Sequence, residues 1–265
     1  MIDITGLVLT FNEAPNIERT LAKLSWLRHV CVIDSNSTDG TAERAAAFPN
    51  VRVITRAFTT HAEQWNFGLA ECGHAEWVLA LDADYLLSDA LIDEVRNLNP
   101  PPDVRGYSAS FDYCIDGRPL RGAAYPPVTV LYRRNHARYE QDGHTQRVRI
   151  EGTVTRLNAR ICHDDRKSLS HWLGAQAKYM ELEAIKLTTA APGSLGIVDR
   201  LRRWIVITPP AMFLYCYLVR GGILDGRAGL FYALQRATSE AILSMFLVRR
   251  YTELASRPNS ARRAG

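Results

Sequence analysis

Two carboxylates one residue apart, Asp82 and Asp84, close the apolar stretch Trp77 to Leu81. A buried strand ending in two like charges calls for a counter-ion. A divalent cation relieves their repulsion and accepts phosphate oxygens on its remaining positions. The plainer reading is a turn ahead of a helix capped by Ser88, since aspartate favours both. A second concentration of reactive side chains stands at 163–167, where His163, Asp164, Asp165, Arg166 and Lys167 follow the apolar strand-like run "ARIC". Its plainer reading is the start of a helix over Ser168 to Leu187.

Such groups need a frame. Residues 1–100 alternate strand-like and helix-like segments: strands at 4–10, 29–35, 51–55 and 77–81, and helices at 14–27, 41–48, 62–71 and 88–98. That alternation predicts a parallel sheet with right-handed crossovers. Ligands of such sheets sit beyond the carboxyl ends of the strands. Polar residues gather at those ends here: Thr10, Asn12 and Glu13 after the first strand, Asp34 to Asp39 after the second, Arg56 after the third, Asp82 and Asp84 after the fourth. The coincidence favours the cation reading of the Asp pair, although Thr10 and Asn12 would also serve as caps of the first helix and Asp39 of the next. From residue 106 the pattern changes to pieces read as antiparallel strands (107–115, 128–134, 147–150 and 155–163), separated by Asp-Gly and Pro-rich turns. A helix from Ser168 to Leu187 and a break at 190–196 follow.

A chain of 265 residues with 47% apolar content holds a real core and is not disordered. Its net charge of +4 is unevenly spread: residues 196–265 hold eleven Arg against four Asp or Glu, which leaves the preceding residues net acidic. A basic tail suits an anionic partner. Its aliphatic bulk argues against nucleic acid. The uncharged run Trp204 to Val219 contains two prolines and is shorter than the ~20 residues of a membrane span, and the run Ala228 to Val248 carries Arg236 and Glu240. The expectation is helices lying in a membrane interface, with packing on the domain or a homo-oligomer contact as the alternative. The five cysteines, Cys31, Cys72, Cys114, Cys162 and Cys216, form no disulfide framework or metal pair and suggest a reducing compartment. The first residues lack a basic segment and are not expected to be a signal peptide.

In their order and spacing, "TFNEAPNIERTL", "VIDSNSTDGT", "EQWNFGLA" and "LALDADYLL" resemble the family 2 glycosyltransferases, inverting enzymes of the type A fold. The downstream strings "DGHTQRV", "ICHDDRKSLSHWL" and "GGILDGRAGLFYAL" are similar to a bacterial subgroup that adds sugars to lipopolysaccharide core or related lipid-linked envelope glycans. The resemblance implies an α/β fold with a mostly parallel nucleotide-binding sheet flanked by helices and a C-terminal helical membrane-associating appendage. It implies a catalytic domain over 1–190, split into a nucleotide-sugar half (1–100) and an acceptor half (101–190), and a membrane-associating region over 196–265. The activity implied is metal-dependent transfer from a nucleotide-sugar donor to a lipid-linked or glycan acceptor, at the cytoplasmic face of the bacterial inner membrane, by a peripheral or monotopic protein.

By the same resemblance Asp84 binds Mg²⁺ or Mn²⁺, Asp82 meets the ribose or the metal shell, and His163 is the third ligand. Thr10 and Glu13 line the nucleotide pocket and Asp34 accepts from the base. Asn12, Ser37, Gln64, Asn66, Arg166 and Lys167 complete the donor contacts. The family's acidic base falls at Thr145 or Gln146 here, and neither can accept a proton; Asp142 and His144 are the candidates left. Two rival readings are a nucleotidyltransferase, whose Gly-rich basic loop is missing after the first strand, and a non-catalytic binder that retains the fold.

Overall fold

In the computed structural model, which describes residues 2–73, 75–121, 123, 125–142, 145–191 and 193–256, the apolar runs at 4–10, 30–34 and 77–81 are strands covered on both faces, and the run at 51–55 is a half-buried edge strand. The chain divides into two units, residues 1–119 with 125–167, and residues 120–124 with 168–265.

The first unit runs β1 (Ile4–Thr10), α1 (Ile17–Ala22), β2 (His29–Asp34), α2 (Thr41–Ala46), β3 (Val51–Thr55), α3 (His61–Glu71), β4 (Trp77–Asp82), β5 (Tyr85–Leu87) and α4 (Asp89–Arg96). It continues through β6 (Val104–Ile115), β7 (Arg118–Pro119), β8 (Val128–Arg133), β9 (Ala137–Asp142), β10 (Thr145–Ile150) and β11 (Thr153–His163). Among the described residues nine strands form one sheet in the order β3-β2-β1-β4-β8-β6-β11-β5, with β7 paired to β6, while β9 and β10 form a separate ribbon. The four expected strands are parallel to one another. Leu7, Val8, Val32, Ile33, Val78 and Leu81 are fully buried, as two-sided cover by helices requires. Helix α3 approaches β1 closely at Gly68, where a Cβ would lie 2.6 Å from a Leu7 methyl.

Two expectations are corrected here. β8 is antiparallel to both neighbours, but β11 runs parallel to β6. β8 itself carries the chain back past β6, from Ala109 to Gly106, so β11 sets out from the same end as β6 (Thr153 opposite Val104) and, pairing with β6 rather than with β8, lies parallel to it. Cys114 on β6 and Cys162 on β11 are joined as a disulfide, with Cα atoms 6.4 Å apart. Strand pairing brings together two residues 48 apart in the chain, which spacing alone does not reveal. Cys31, Cys72 and Cys216 are free and buried.

The second unit holds α5 (Leu169–Thr189), α6 (Ile197–Arg202), α7 (Thr208–Leu214), a π-helical turn over Tyr215–Val219 and α8 (Gly226–Ser256). The division falls after Lys167, so α5 groups with the C-terminal helices. Contact explains this: Met180, Ala184 and Leu187 of α5 pack on Leu243 and Leu247 of α8. Beside that core, Arg202 reaches Glu183 and Glu240, each at 3.1 Å, and both glutamates are buried. Ile197, Val198, Trp204, Val206, Ile207 and Val219 stay exposed, Val206 by 82%. Among the described residues no helix is long and apolar enough to cross a membrane.

Candidate active site

β1 and β2 end side by side, with Thr10 opposite Asp34. Thr10 Oγ1 donates to Asp34 Oδ1 at 2.9 Å, and Ser37 donates through its Oγ (2.6 Å) and its backbone N–H (2.8 Å). An ionised carboxylate has about four acceptor positions, so these three donors leave about one for a ligand. Asn12, at φ 53°, donates its N–H to Ser37 Oγ and accepts from Thr38 N–H, which fastens the loop after β1 to the loop after β2. Asp39 accepts from Ala14 and Thr41 and acts in the same fastening. Gln64 is fully buried; its amide donates to Ser35 and its Oε1 accepts from Arg56 at 2.5 Å, holding Arg56 at the end of β3. Asn66 turns elsewhere. Its side chain both donates to and accepts from the Tyr139 backbone, both at 2.9 Å, and so braces β9.

The pair that closes β4 has two distinct environments. Ser88 does cap α4, accepting from Leu91 N–H, and Asp84 does lie in the turn between β4 and β5; its side chain has a further partner. Asp84 Oδ2 meets His163 Nε2 at 3.0 Å, with both side chains about 15% exposed. Strand register explains the meeting: His163, at the end of β11, lies opposite Tyr85 on β5 and Tyr113 on β6. The rings of Tyr85, Tyr113 and Tyr125 surround the imidazole at 5.2, 4.8 and 4.9 Å between centroids. Buried Nδ1 of His163 has no hydrogen-bond partner among the described residues. Burial acts to raise Asp84, but the charge and hydrogen bond of His163 outweigh it and hold the carboxyl below its ordinary range. His163 shifts upward, because Asp84 outweighs the burial that opposes its charge. Asp82 has no such partner, and burial with Asp84's charge pushes it up to about 6. Among the described residues no group of three or more His, Cys, Asp or Glu side chains is arranged to hold a metal ion; Asp84 and His163 spend an oxygen and a nitrogen on each other.

Next to them lies a charged brace between the loop after β1 and the segment after β11. Glu13 Oε1 accepts from Lys167 Nζ at 2.5 Å, and Asp165 lies 3.9 Å from the same ammonium. Burial pushes Glu13 up to about 7 against the pull of Lys167. Lys167 itself is raised, Glu13 and Asp165 prevailing over the burial that opposes its charge. Asp164, 1% exposed, accepts from Arg19 at 2.9 Å and lies 2.7 Å from Arg166. The guanidinium of Arg166 is thus tied to a carboxylate of its own segment. Asn16 is wholly buried between these groups.

The family model described as Glycosyl transferase family 2 matches residues 7–155, more than half of the chain. The chain belongs to glycosyl transferase family 2. The lipopolysaccharide core biosynthesis glycosyltransferase LpsC of Rhizobium meliloti is 25% identical over 97% of this chain and 96% of its own length. An uncharacterized glycosyltransferase of Rickettsia bellii is 30% identical over 51% of this chain and 48% of its own, so the chain matches about half the length of that relative. Among solved structures, glucosyl-3-phosphoglycerate synthase from Mycobacterium tuberculosis is 17% identical, covers 72% of this chain and 81% of its own, and gives a TM-score of 0.46.

In this glycosyltransferase the α/β architecture, a central type A sheet flanked by helices with a C-terminal helix, is the expected one. Thr10, Asn12, Asp34 and Ser37 come together in one cluster, and Asp82, Asp84, His163, Glu13 and Lys167 in another, linked through the end of β1. Asp142 stands apart on the β9–β10 ribbon, where it accepts from Arg147 at 2.6 Å. His144 lies outside the described residues. Sequence reasoning missed Asn16, Arg19 and the three tyrosines around His163. Asn16 and Arg19 read as residues of an ordinary first helix, and no local pattern links them to a segment some 150 positions later.

Proposed function

We propose that this glycosyltransferase moves a sugar, with inversion, from a nucleotide-sugar donor to a lipid-linked envelope glycan of the lipopolysaccharide-core type. It acts at the cytoplasmic face of the membrane as a peripheral or monotopic protein. The observation that carries the reading is the meeting of Asp84 with His163, 79 residues on, beside the Glu13–Lys167 pair. Acidic and basic groups converge there where a diphosphate needs both a cation and an ammonium. The full-length similarity to LpsC supports the acceptor class. The exposed Trp204, Val206 and Ile207, which follow Arg200 and Arg203 in the chain, support the membrane surface.

By ligand type, two carboxylates that repel each other and an imidazole, the set would suit Mg²⁺ or Mn²⁺ once Asp84 and His163 release each other. Asp82, Asp84 and His163 would hold the ion, which supplies charge to offset a diphosphate leaving group. The remaining roles belong to the chain itself. Asp34 receives the base and Lys167 brings a positive charge to the phosphates.

The test is release of nucleoside diphosphate from UDP-, GDP- and dTDP-sugars, with Mg²⁺, Mn²⁺ or EDTA, in the presence of lipopolysaccharide-core extracts. The expected result is cation-dependent release with one donor and a product of inverted anomeric configuration by NMR. Release unaffected by EDTA overturns the cation role. Absence of release with every donor and extract overturns the reading.

A further inference from the structure

The side chain of Asn16 uses its whole hydrogen-bonding capacity inside the protein. Its Nδ2 donates to Glu13 Oε2 at 2.8 Å and to Asp165 Oδ1 at 2.9 Å. Its Oδ1 accepts from Arg19 Nη2 and from the backbone N–H of Arg166, both at 2.9 Å. An amide has two donor hydrogens and two lone pairs, so all four are engaged at a site with 0% exposure. Helix capping does not account for this, because the side chain makes no capping hydrogen bond to α1. The contacts join Glu13, beyond β1, to 165–166, beyond β11. Glu13 and Asp165 are the two carboxylates that flank Lys167 Nζ, at 2.5 and 3.9 Å.

We infer that Asn16 is a positioning residue of the transfer reaction: by orienting the carboxylates of Glu13 and Asp165 it fixes the Lys167 ammonium in place for the donor diphosphate. This rests on the reading that Lys167 meets that diphosphate. Only a neutral amide serves at this position. Aspartate keeps the two acceptor contacts but turns two donated hydrogen bonds into repulsion between three carboxylates, and alanine takes the amide donor from Glu13 and leaves Asp165 Oδ1 with the backbone N–H of Lys167 at 3.0 Å.

Two measurements on the full chain separate the inference from the reading beneath it. The first is the ¹H–¹⁵N signal of the Lys167 ammonium, assigned by its loss in Lys167→Met. An ordered, slowly exchanging signal is expected in the wild type and its collapse in Asn16→Ala; an unchanged signal overturns the inference. The second is calorimetric binding of inorganic pyrophosphate. Asn16→Ala is expected to weaken it about tenfold and to add nothing in the Lys167→Met background. Equal weakening in both backgrounds overturns the inference. Wild-type pyrophosphate affinity in Lys167→Met refutes the phosphate role of Lys167, while the ammonium signal still decides Asn16. If Asn16→Ala does not fold, Asn16→Asp is measured in the same way with the same expectations.

Discussion

Asp82→Asn and Asp84→Asn, made separately and studied in cation-free buffer, change stability in opposite directions although the two residues are one apart. Asp82 binds its proton more tightly in the folded chain, with a pKa raised from 3.8 to about 6 by burial and by Asp84. A group so raised stabilises the fold fully below 3.8, and that contribution is lost as pH rises through 6. At 1.36 kcal/mol per pK, the folded protein carries a cost of about 3 kcal/mol at pH 7.5, and about half of that at pH 5. Asparagine keeps the shape and an acceptor for Tyr85 but carries no charge, so Asp82→Asn gains about 3 kcal/mol at pH 7.5 over the wild type. Glu13 titrates in both proteins and cancels in the difference. Asp84 has a lowered pKa, so its contribution exists above 3.8 and is lost as pH falls below it. Removing it abandons His163 in a site where both partners are about 15% exposed, at a cost of about 3 kcal/mol, the lower end for a broken buried pair. Urea unfolding followed by near-ultraviolet circular dichroism, in EDTA at pH 5 and 7.5, measures both. The reasoning is refuted if Asp82→Asn is no more stable than the wild type at pH 7.5, or if Asp84→Asn matches it.

Three further outcomes follow from other parts of the chain. Arg202→Leu strands Glu240 and deprives Glu183 of its guanidinium; a loss of about 3–5 kcal/mol is expected in urea melts, with recovery on adding Glu183→Gln and Glu240→Gln. No recovery would show that the arginine stem, not its charge, was needed. Thr10→Val removes one of three donors to a buried carboxylate and should cost about 1–3 kcal/mol, together with weaker nucleotide binding by calorimetry. Replacing Trp204, Val206 and Ile207 by serine should lower co-sedimentation with anionic vesicles at least tenfold, given about 1.5–3 kcal/mol per large apolar side chain buried; unchanged sedimentation assigns those side chains to another contact.

The parallel half of the sheet was legible because its inner strands β1, β2 and β4 are buried on both faces and read as apolar runs, while the edge strand β3, half-buried and carrying Arg52, is still rich in β-branched residues. Its ends were legible because soluble side chains appear there abruptly. The edges were not. β5 has only three residues and follows a strand that absorbs its signal, and β9 alternates polar and apolar residues in a ribbon that packs on α3 through Asn66 and Ala62. The orientation of β11 depends on which strand it pairs with, β6 rather than the preceding β8, and not on its composition. Within the site, Asp84 and His163 were expected together and meet, whereas Arg166 was expected to be free for phosphate and is held by Asp164. The difference lies in pairings across long separations, of which Asn16 to Asp165 is the plainest case: an amide and a carboxylate give no hint of each other until the strands that carry them are adjacent.

β11 sets an order on biosynthesis. The loops after β1, β2 and β4 leave the ribosome first and can pair as a nascent sheet, but they present chiefly negative charge. The histidine and lysine that balance them arrive about eighty residues after Asp84, at the end of β11 and just beyond it, and β11 settles beside β6 only after β8 has run back. A chain arrested before that point would hold repelling carboxylates at the mouth of an unfinished cleft, so donor binding in pulse-labelled translation intermediates should begin only once the residues after β11 have emerged.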